Sequence, residues 1–147
     1  MNIALEAARQ ALAADEVPIG AVVVSEEGDV LSTGFNRTIH DSDPTAHAEV
    51  VALRIAGKKM ANYRLTGCSV YTTIEPCAMC AGALVNARIA RLIVGSADER
   101  FGAVRSKFEL CDSDRLNHQM EIEFGVLETE CRELIQGFFK KKRSLKA

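Results

Sequence analysis

No uninterrupted aliphatic run in this chain exceeds four residues, as in Ala21-Val22-Val23-Val24, far short of the roughly 20 apolar residues a membrane span needs. Three prolines and ten glycines in 147 residues, with no repeat or low-complexity tract, exclude a collagen-like or linker-divided chain. The N-terminal Met-Asn-Ile-Ala-Leu-Glu has no basic-then-apolar leader, so no secretion signal is expected. Cysteine is not scarce, but its five copies, at 68, 77, 80, 111 and 131, cannot all pair. An odd count without a leader argues against a disulfide framework and for a reducing, cytoplasmic setting. The rest is ordinary. A hydrophobic share of 48% and a charged share of 26% suit a globular protein. The length suits one domain, residues 1–147, able to bury roughly 68–70% of its unfolded surface.

Charge is unevenly spread. The chain carries 18 Lys+Arg against 20 Asp+Glu, a net −2. The last eight residues hold five of the cations (Lys140, Lys141, Lys142, Arg143, Lys146) and no anion. The remainder, with 13 cations against 20 anions, stands at −7. Two readings of this basic end, at about 138–147, stay open. It recruits an anionic partner such as a nucleic acid, or it is a solvated helix end whose cations suit the helix dipole.

Periodicity predicts helices over about 2–14 and, after a polar loop over residues 36–45, through about Lys59, with Pro18 ending the first. Ile19–Val24 and Val30–Phe35 read as a hairpin around Glu26-Glu27-Gly28-Asp29. Cys68–Thr73, Arg91–Val94 and Met120–Val126 read as further strands. A helix is expected from Pro76, a residue welcome in a first helical turn, to about Ala87, and a last one from Glu128 to about Lys142. Helices between most of the later strands imply a partly parallel, mixed sheet of about five strands with helices on both faces, an α/β fold.

Four residues on that map carry chemistry. His47 and Glu49 fall in the first turn of the second helix, Cys77 and Cys80 in the first turn of the third. Both helices start at the carboxyl edge of the sheet, where open α/β sheets bind ligands. One imidazole and two thiolates form a three-ligand zinc site, with the helix N-termini favouring thiolate. The fourth position is then open to water, whose pKa zinc lowers to about 7. Glu49 is close enough to move protons there without ligating the metal. Two other readings remain: a structural zinc completed by Cys68 or His40, and a redox Cys-x-x-Cys. The former lacks a short ligand spacing, and the latter leaves His47 and Glu49 without a role. Cys68, Cys111 and Cys131 are expected to be buried small hydrophobes, and Met79 and Leu84 to serve the core or a dimer face.

His47-Ala48-Glu49 followed by Pro76-Cys77-Ala78-Met79-Cys80 is the known His-x-Glu, Pro-Cys-x-x-Cys signature of zinc nucleobase deaminases. Together with Glu16-Val17-Pro18-Ile19-Gly20-Ala21-Val22, Asp43-Pro44-Thr45-Ala46, Asn62-Tyr63-Arg64-Leu65, Glu75, Ala81-Gly82-Ala83, Asn117-His118 and Phe138-Phe139-Lys140-Lys141-Lys142-Arg143, it makes the chain resemble the bacterial tRNA-specific adenosine deaminases, of the cytidine/deoxycytidylate deaminase superfamily. The resemblance implies a cytidine-deaminase-like three-layer fold, one Zn²⁺ on His47, Cys77 and Cys80, and Glu49 as proton shuttle. It implies hydrolytic conversion of adenosine to inosine at the wobble position of a tRNA anticodon stem-loop, by a homodimer. It also implies that Asn36 contacts the target nucleoside, that Asp98 lies beside the RNA backbone, and that Asn117 and His118 lie near bound RNA. Phe139, Lys141, Lys142 and Arg143 complete the expected RNA contacts, with one of Phe138 and Phe139 packed in the core. Where the family has Gly-Ala-x-Gly-Ser, this chain has Gly102-Ala103-Val104-Arg105-Ser106, so Arg105 either adds a phosphate contact or remoulds the loop. The chain also starts almost directly in its first helix, where many relatives carry extra residues.

Two other functions fit part of this pattern. A deaminase of free guanine, cytosine or cytidine shares the chemistry but has no use for Lys140 to Arg143. A zinc-stabilised RNA-binding module without catalysis has no use for Glu49.

Overall fold

A computed structural model describes all residues 1–147. Its elements run α1 (Asn2–Ala13), β1 (Gly20–Val24), β2 (Val30–Phe35), α2 (Ala48–Met60), β3 (Ser69–Ile74), α3 (Ala78–Asn86), β4 (Arg91–Ser96), β5 (Glu121–Phe124) and α4 (Glu128–Lys146). The strands form one mixed sheet in the order β2-β1-β3-β4-β5. β1 is antiparallel to β2 and β3, pairing Gly20 with Phe35 and Val22 with Tyr71. β3, β4 and β5 are parallel, with Val70 beside Leu92 and Leu92 beside Ile122. Consequently β2, β3, β4 and β5 all end at one edge, and β1 begins there.

Both faces of the sheet are covered, which is why β1 reads as a continuous apolar run rather than alternating with polar residues. Ala21, Val23, Val70, Leu92 and Val94 meet Ala48, Ala52 and Ala56 of α2 and Leu84 and Val85 of α3 in one core cluster. Alternate residues face α1 and α4. Two glycines set how closely the helices approach. A Cβ on Gly34 would strike the backbone of α2 at Ala48 and Ala52, and one on Gly20 would strike α1 at Ala4 and Ala8. The alanines of both helices complete this close packing. No helix is long and apolar enough to cross a membrane.

The three-layer α/β architecture is the expected one, with corrections at element ends. α1 stops at Ala13, well before Pro18, because the chain turns at Asp15 in the left-handed region (φ 58). Pro76 does not open α3. Cys77 is the N-cap, extended at φ −73 and ψ 177, and the Pro76 carbonyl accepts the Ala103 N–H at 2.8 Å. β4 continues to Ser96, β5 is limited to Glu121–Phe124, and α4 runs on to Lys146. Met79 is exposed, whereas Leu84, Cys68, Cys111 and Cys131 are buried.

Candidate metal centre and active site

The end of β2 and the end of β3 deliver the two halves of the site to the same edge. His47 is the N-cap of α2 (φ −75, ψ 154) rather than a residue of its first turn, and Cys77 is the N-cap of α3. Cys80, one turn further, is buried. His47 Nδ1 lies 3.6 Å from Cys77 Sγ and 3.5 Å from Cys80 Sγ. All three donor atoms lie within 4.8 Å of one another, and no other group of three or more His, Cys, Asp or Glu could hold a metal. Zn–S and Zn–N bonds of about 2.3 and 2.0–2.1 Å at a tetrahedral angle put N and S about 3.5 Å apart. The donor set therefore fits zinc in chemistry and in spacing.

Neither candidate for a fourth protein ligand is there. Cys68 sits just before β3 at the opposite edge, its carbonyl bonded to the Ala90 N–H, and the exposed His40 gives its own N–H to Glu16. All five cysteines are free. The Cys77 thiol is drawn down to about 4 by a hydrogen bond from Cys80, with His47 adding to it. Cys80, as donor in that bond and by burial, is pushed up. His47 is raised by its hydrogen bond to Cys77.

Glu49 is 3% exposed. Burial raises its carboxyl above the ordinary range, and hydrogen bonds from Cys80 and Thr72 pull it only partly back. The Thr72 hydroxyl lies 3.0 Å from both Glu49 Oε1 and the Ile74 carbonyl. Its single proton serves one acceptor at a time. When Glu49 is ionised, Thr72 donates to it; when Glu49 is protonated, it donates to Thr72, which turns to Ile74. Both protonation states of Glu49 are thus hydrogen-bonded. Asn36, 6% exposed, accepts the first N–H of α2, from Ala48, on its Oδ1 at 3.0 Å. Its amide nitrogen has no protein acceptor and retains solvent access, since no fully buried polar side-chain atom is unpartnered.

The remaining expected site residues separate into two regions. Asp98 follows β4 at the site's edge, its Oδ1 accepting the N–H groups of Arg100 and Phe101. The Arg105 guanidinium grips Asp112 through two 2.9 Å bonds and also donates to the Val104 carbonyl. Asn117 accepts from Arg88 at 3.2 Å, and His118 Nε2 donates to the Ile89 carbonyl at 2.7 Å. Both partners precede β4, so Asn117 and His118 lie across the sheet from the metal cluster. In the tail, Phe138 is buried and Phe139 is exposed, packed edge-on against it at 5.3 Å. Lys142 is engaged in an ion pair with Asp15 at 2.8 Å, above the Phe138 ring, while Lys141 and Arg143 are exposed and make no ion pair. This contact brings the end of α4 beside Glu16, which accepts the N–H groups of Ile39 and His40 from the loop leading to His47.

Three residues escaped sequence reasoning. Thr72 looked like any strand threonine. Glu16 and Glu75 lay inside the matching segments, but their hydrogen-bond partners sit 22 to 31 residues along the chain. Glu75 alone accepts the N–H groups of Asp98, Val104, Arg105 and Ser106 and the Ser106 hydroxyl.

Residues 1–96 match the cytidine and deoxycytidylate deaminase zinc-binding region. The tRNA-specific adenosine deaminase of Haemophilus influenzae is 45% identical over 99% of this chain and 84% of its own length. A solved structure from studies of A-to-I editing by tRNA:A34 deaminases superposes with a TM-score of 0.88 at 42% identity, covering 91% of this chain and 96% of the other. The guanine deaminase of Nitrosomonas europaea superposes at 0.76 with 25% identity, over 93% and 81%. By its zinc-binding region and by likeness along 99% of its length, the chain belongs to the cytidine and deoxycytidylate deaminase family and, within it, to the tRNA-specific adenosine deaminases.

Proposed function

We propose that this chain hydrolyses adenosine to inosine and ammonia at the wobble position of a tRNA anticodon, with zinc held by His47, Cys77 and Cys80 and with Glu49 carrying the protons. The observation that carries the reading is a buried carboxylate, two residues from a ligand, beside a three-donor cluster that has no fourth protein ligand. Bound zinc supplies Lewis acidity that makes water a nucleophile near neutral pH. Glu49 takes a proton from the attacking water and gives it to adenine N1, then moves the remaining proton of the new C6 hydroxyl to the amine, which departs as ammonia and leaves the inosine carbonyl. Burial, by raising its carboxyl, makes it a stronger proton acceptor than an exposed glutamate. Thr72 holds it in either state. The free Asn36 amide offers a donor to the target nucleoside, while its oxygen fixes the start of α2 against the ring-binding edge.

The tail supports an RNA substrate over a free base. Lys142, fixed to Asp15, brings the exposed cations Lys141 and Arg143 to the side of the molecule where the 36–45 loop begins. An anticodon base is already in a loop, so extruding it costs less than from a duplex. Likeness to a guanine deaminase favours the second reading, a free-base enzyme. Inosine formation on an anticodon stem-loop with adenosine at the wobble position, run beside free adenosine, guanine and cytidine, separates the two. Conversion of the stem-loop alone is expected; conversion of a free base with the RNA untouched would contradict the tRNA reading. The reading includes a cytoplasmic homodimer. An apolar groove of about 530 Å³ between α2 and α3, lined by Val50, Leu53, Tyr63, Ala83 and Ala87, supports a paired face there.

A further inference from the structure

The loop after β4 ends in an aromatic ring that nothing in the chain covers. Phe101 is 68% exposed, although the backbone on both sides of it is held by hydrogen bonds. Asp98 Oδ1 accepts the Phe101 and Arg100 N–H groups at 3.3 and 3.0 Å. The Gly102 N–H bonds the Asp98 carbonyl at 2.8 Å. Glu75 then gathers five donors from the loop, with the Ser106 hydroxyl as near as 2.6 Å. A Cβ on Gly102 would collide with that carboxylate, so the loop closes directly over it. The anchor is part of the site itself: Glu75 and Pro76 precede the ligand Cys77, and the Pro76 carbonyl takes the Ala103 N–H. Two residues of chain reach about 7 Å at most, so Phe101 is tied at short range to the segment that supplies a metal ligand.

An exposed ring on a floppy loop would lose most of its contact energy to ordering on binding. This one is ordered in advance. The three charged residues that lead into it, Asp98, Glu99 and Arg100, sum to one negative charge, so that stretch is not itself a phosphate site. What it offers is a flat apolar face. We infer that Phe101 is a stacking platform for an unpaired nucleobase next to the reacting adenosine, held in place by the hydrogen bonds of its loop to Glu75. The inference rests on the RNA-deaminase reading above and adds a substrate-binding residue to it. Stacking on an aromatic side chain is sequence-tolerant and substantial, so Phe101 would grip a flanking base whatever its identity.

The chain contains no tryptophan, so Phe101→Trp installs a sole tryptophan at the platform, which can be excited at wavelengths its two tyrosines do not absorb. On the zinc-loaded protein, Phe101→Ala is expected to raise the Kd for the anticodon stem-loop roughly 5- to 100-fold, with kcat at saturation within about twofold. Phe101→Trp should bind like the parent chain, with its emission quenched on RNA binding. Replacing one flanking nucleotide by an abasic site should remove both the quench and the Phe101→Ala penalty. An unchanged Kd for Phe101→Ala, or a Trp emission indifferent to saturating RNA, would overturn the platform and leave the deaminase reading intact. A change in oligomeric state by sedimentation, with RNA affinity unaltered, would assign the ring to a protein contact and equally overturn it. Failure of the parent chain to bind or deaminate the stem-loop would overturn the substrate reading, and the platform with it.

Discussion

Glu49 and Glu75 are both glutamates buried at the same edge of the sheet, 3% and 4% exposed, and they face opposite circumstances. Glu49 meets only the Thr72 hydroxyl and the Cys80 thiol, so burial prevails and its carboxyl is raised. Glu75 is pushed the same way by burial, but four backbone N–H groups and a serine hydroxyl outweigh it and hold the carboxyl below its ordinary range. Burial penalises the ionised form in both; the number of donors decides the sign. A carboxylate with too few donors is poised to exchange a proton. One with a full set is locked as an anion and organises the chain around it. In the proposed mechanism the first carries protons, while the second shapes the loop beside the site.

The contrast can be tested by removing its parts. Stripping the metal with a chelator comes first, since His47, Cys77 and Cys80 are the only donor cluster in the chain. Deaminase activity should fall to background and return on adding Zn²⁺; activity that survives verified metal loss would contradict the assignment. Next comes Glu75→Ala, which leaves four backbone N–H groups without their acceptor, each worth about 1–3 kcal/mol if it stays dry. Urea unfolding of the zinc-loaded protein should show a loss of at least about 2 kcal/mol, with faster amide exchange over residues 98–106. Equal stability would mean that the loop does not depend on its anchor.

Smaller effects are expected where carboxylates are exposed. Arg105→Gly removes the fork to Asp112, a pair whose side chains are 42% and 36% exposed, and should cost less than about 1 kcal/mol. Because that guanidinium is already engaged, the salt dependence of RNA binding should not change; a slope reduced by about one would reveal a phosphate contact instead. Smallest is the Arg37–Asp41 pair at 2.9 Å. Its hydrogen bond from Arg37 lowers the Asp41 carboxyl, so any stability it adds is present above the ordinary aspartate pKa and is lost as pH falls through the lowered value. An NMR titration of the Asp41 carboxyl carbon reads this directly, and a midpoint at or above the ordinary value would contradict it.

How far the sequence could be read follows the same divide between local and distant partners. The β1–β2 hairpin and the His47, Glu49, Cys77, Cys80 set were legible, because turn residues and ligand spacing are local signals. Pro76 misled, since it fits a first helical turn as well as it fits the residue before an N-cap, and the Ala103 N–H on its carbonyl decides between them. Arg105 was recognised as unusual but its purpose was not, because Asp112 becomes its partner only once the loop folds back. Lys142 looked equivalent to Lys141 and Arg143 until Asp15, 127 residues away, took it out of the set. Asn117 and His118 stood in a matching segment, yet the α3–β4 turn holds them at the far edge. Glu75 is the plainest case: nothing in Ile74-Glu75-Pro76 announces five donors arriving from residues 98–106.

Glu49→Gln puts the central claim to its most direct test. The substitution keeps the size and the Thr72 contact but cannot carry a proton. Inosine yield on the anticodon stem-loop and zinc content should be measured in the same sample. One zinc per chain, with turnover reduced about 10²- to 10⁴-fold, is the predicted result. Turnover near that of the parent chain, or zinc lost together with activity, would contradict the assignment of Glu49 as the proton carrier.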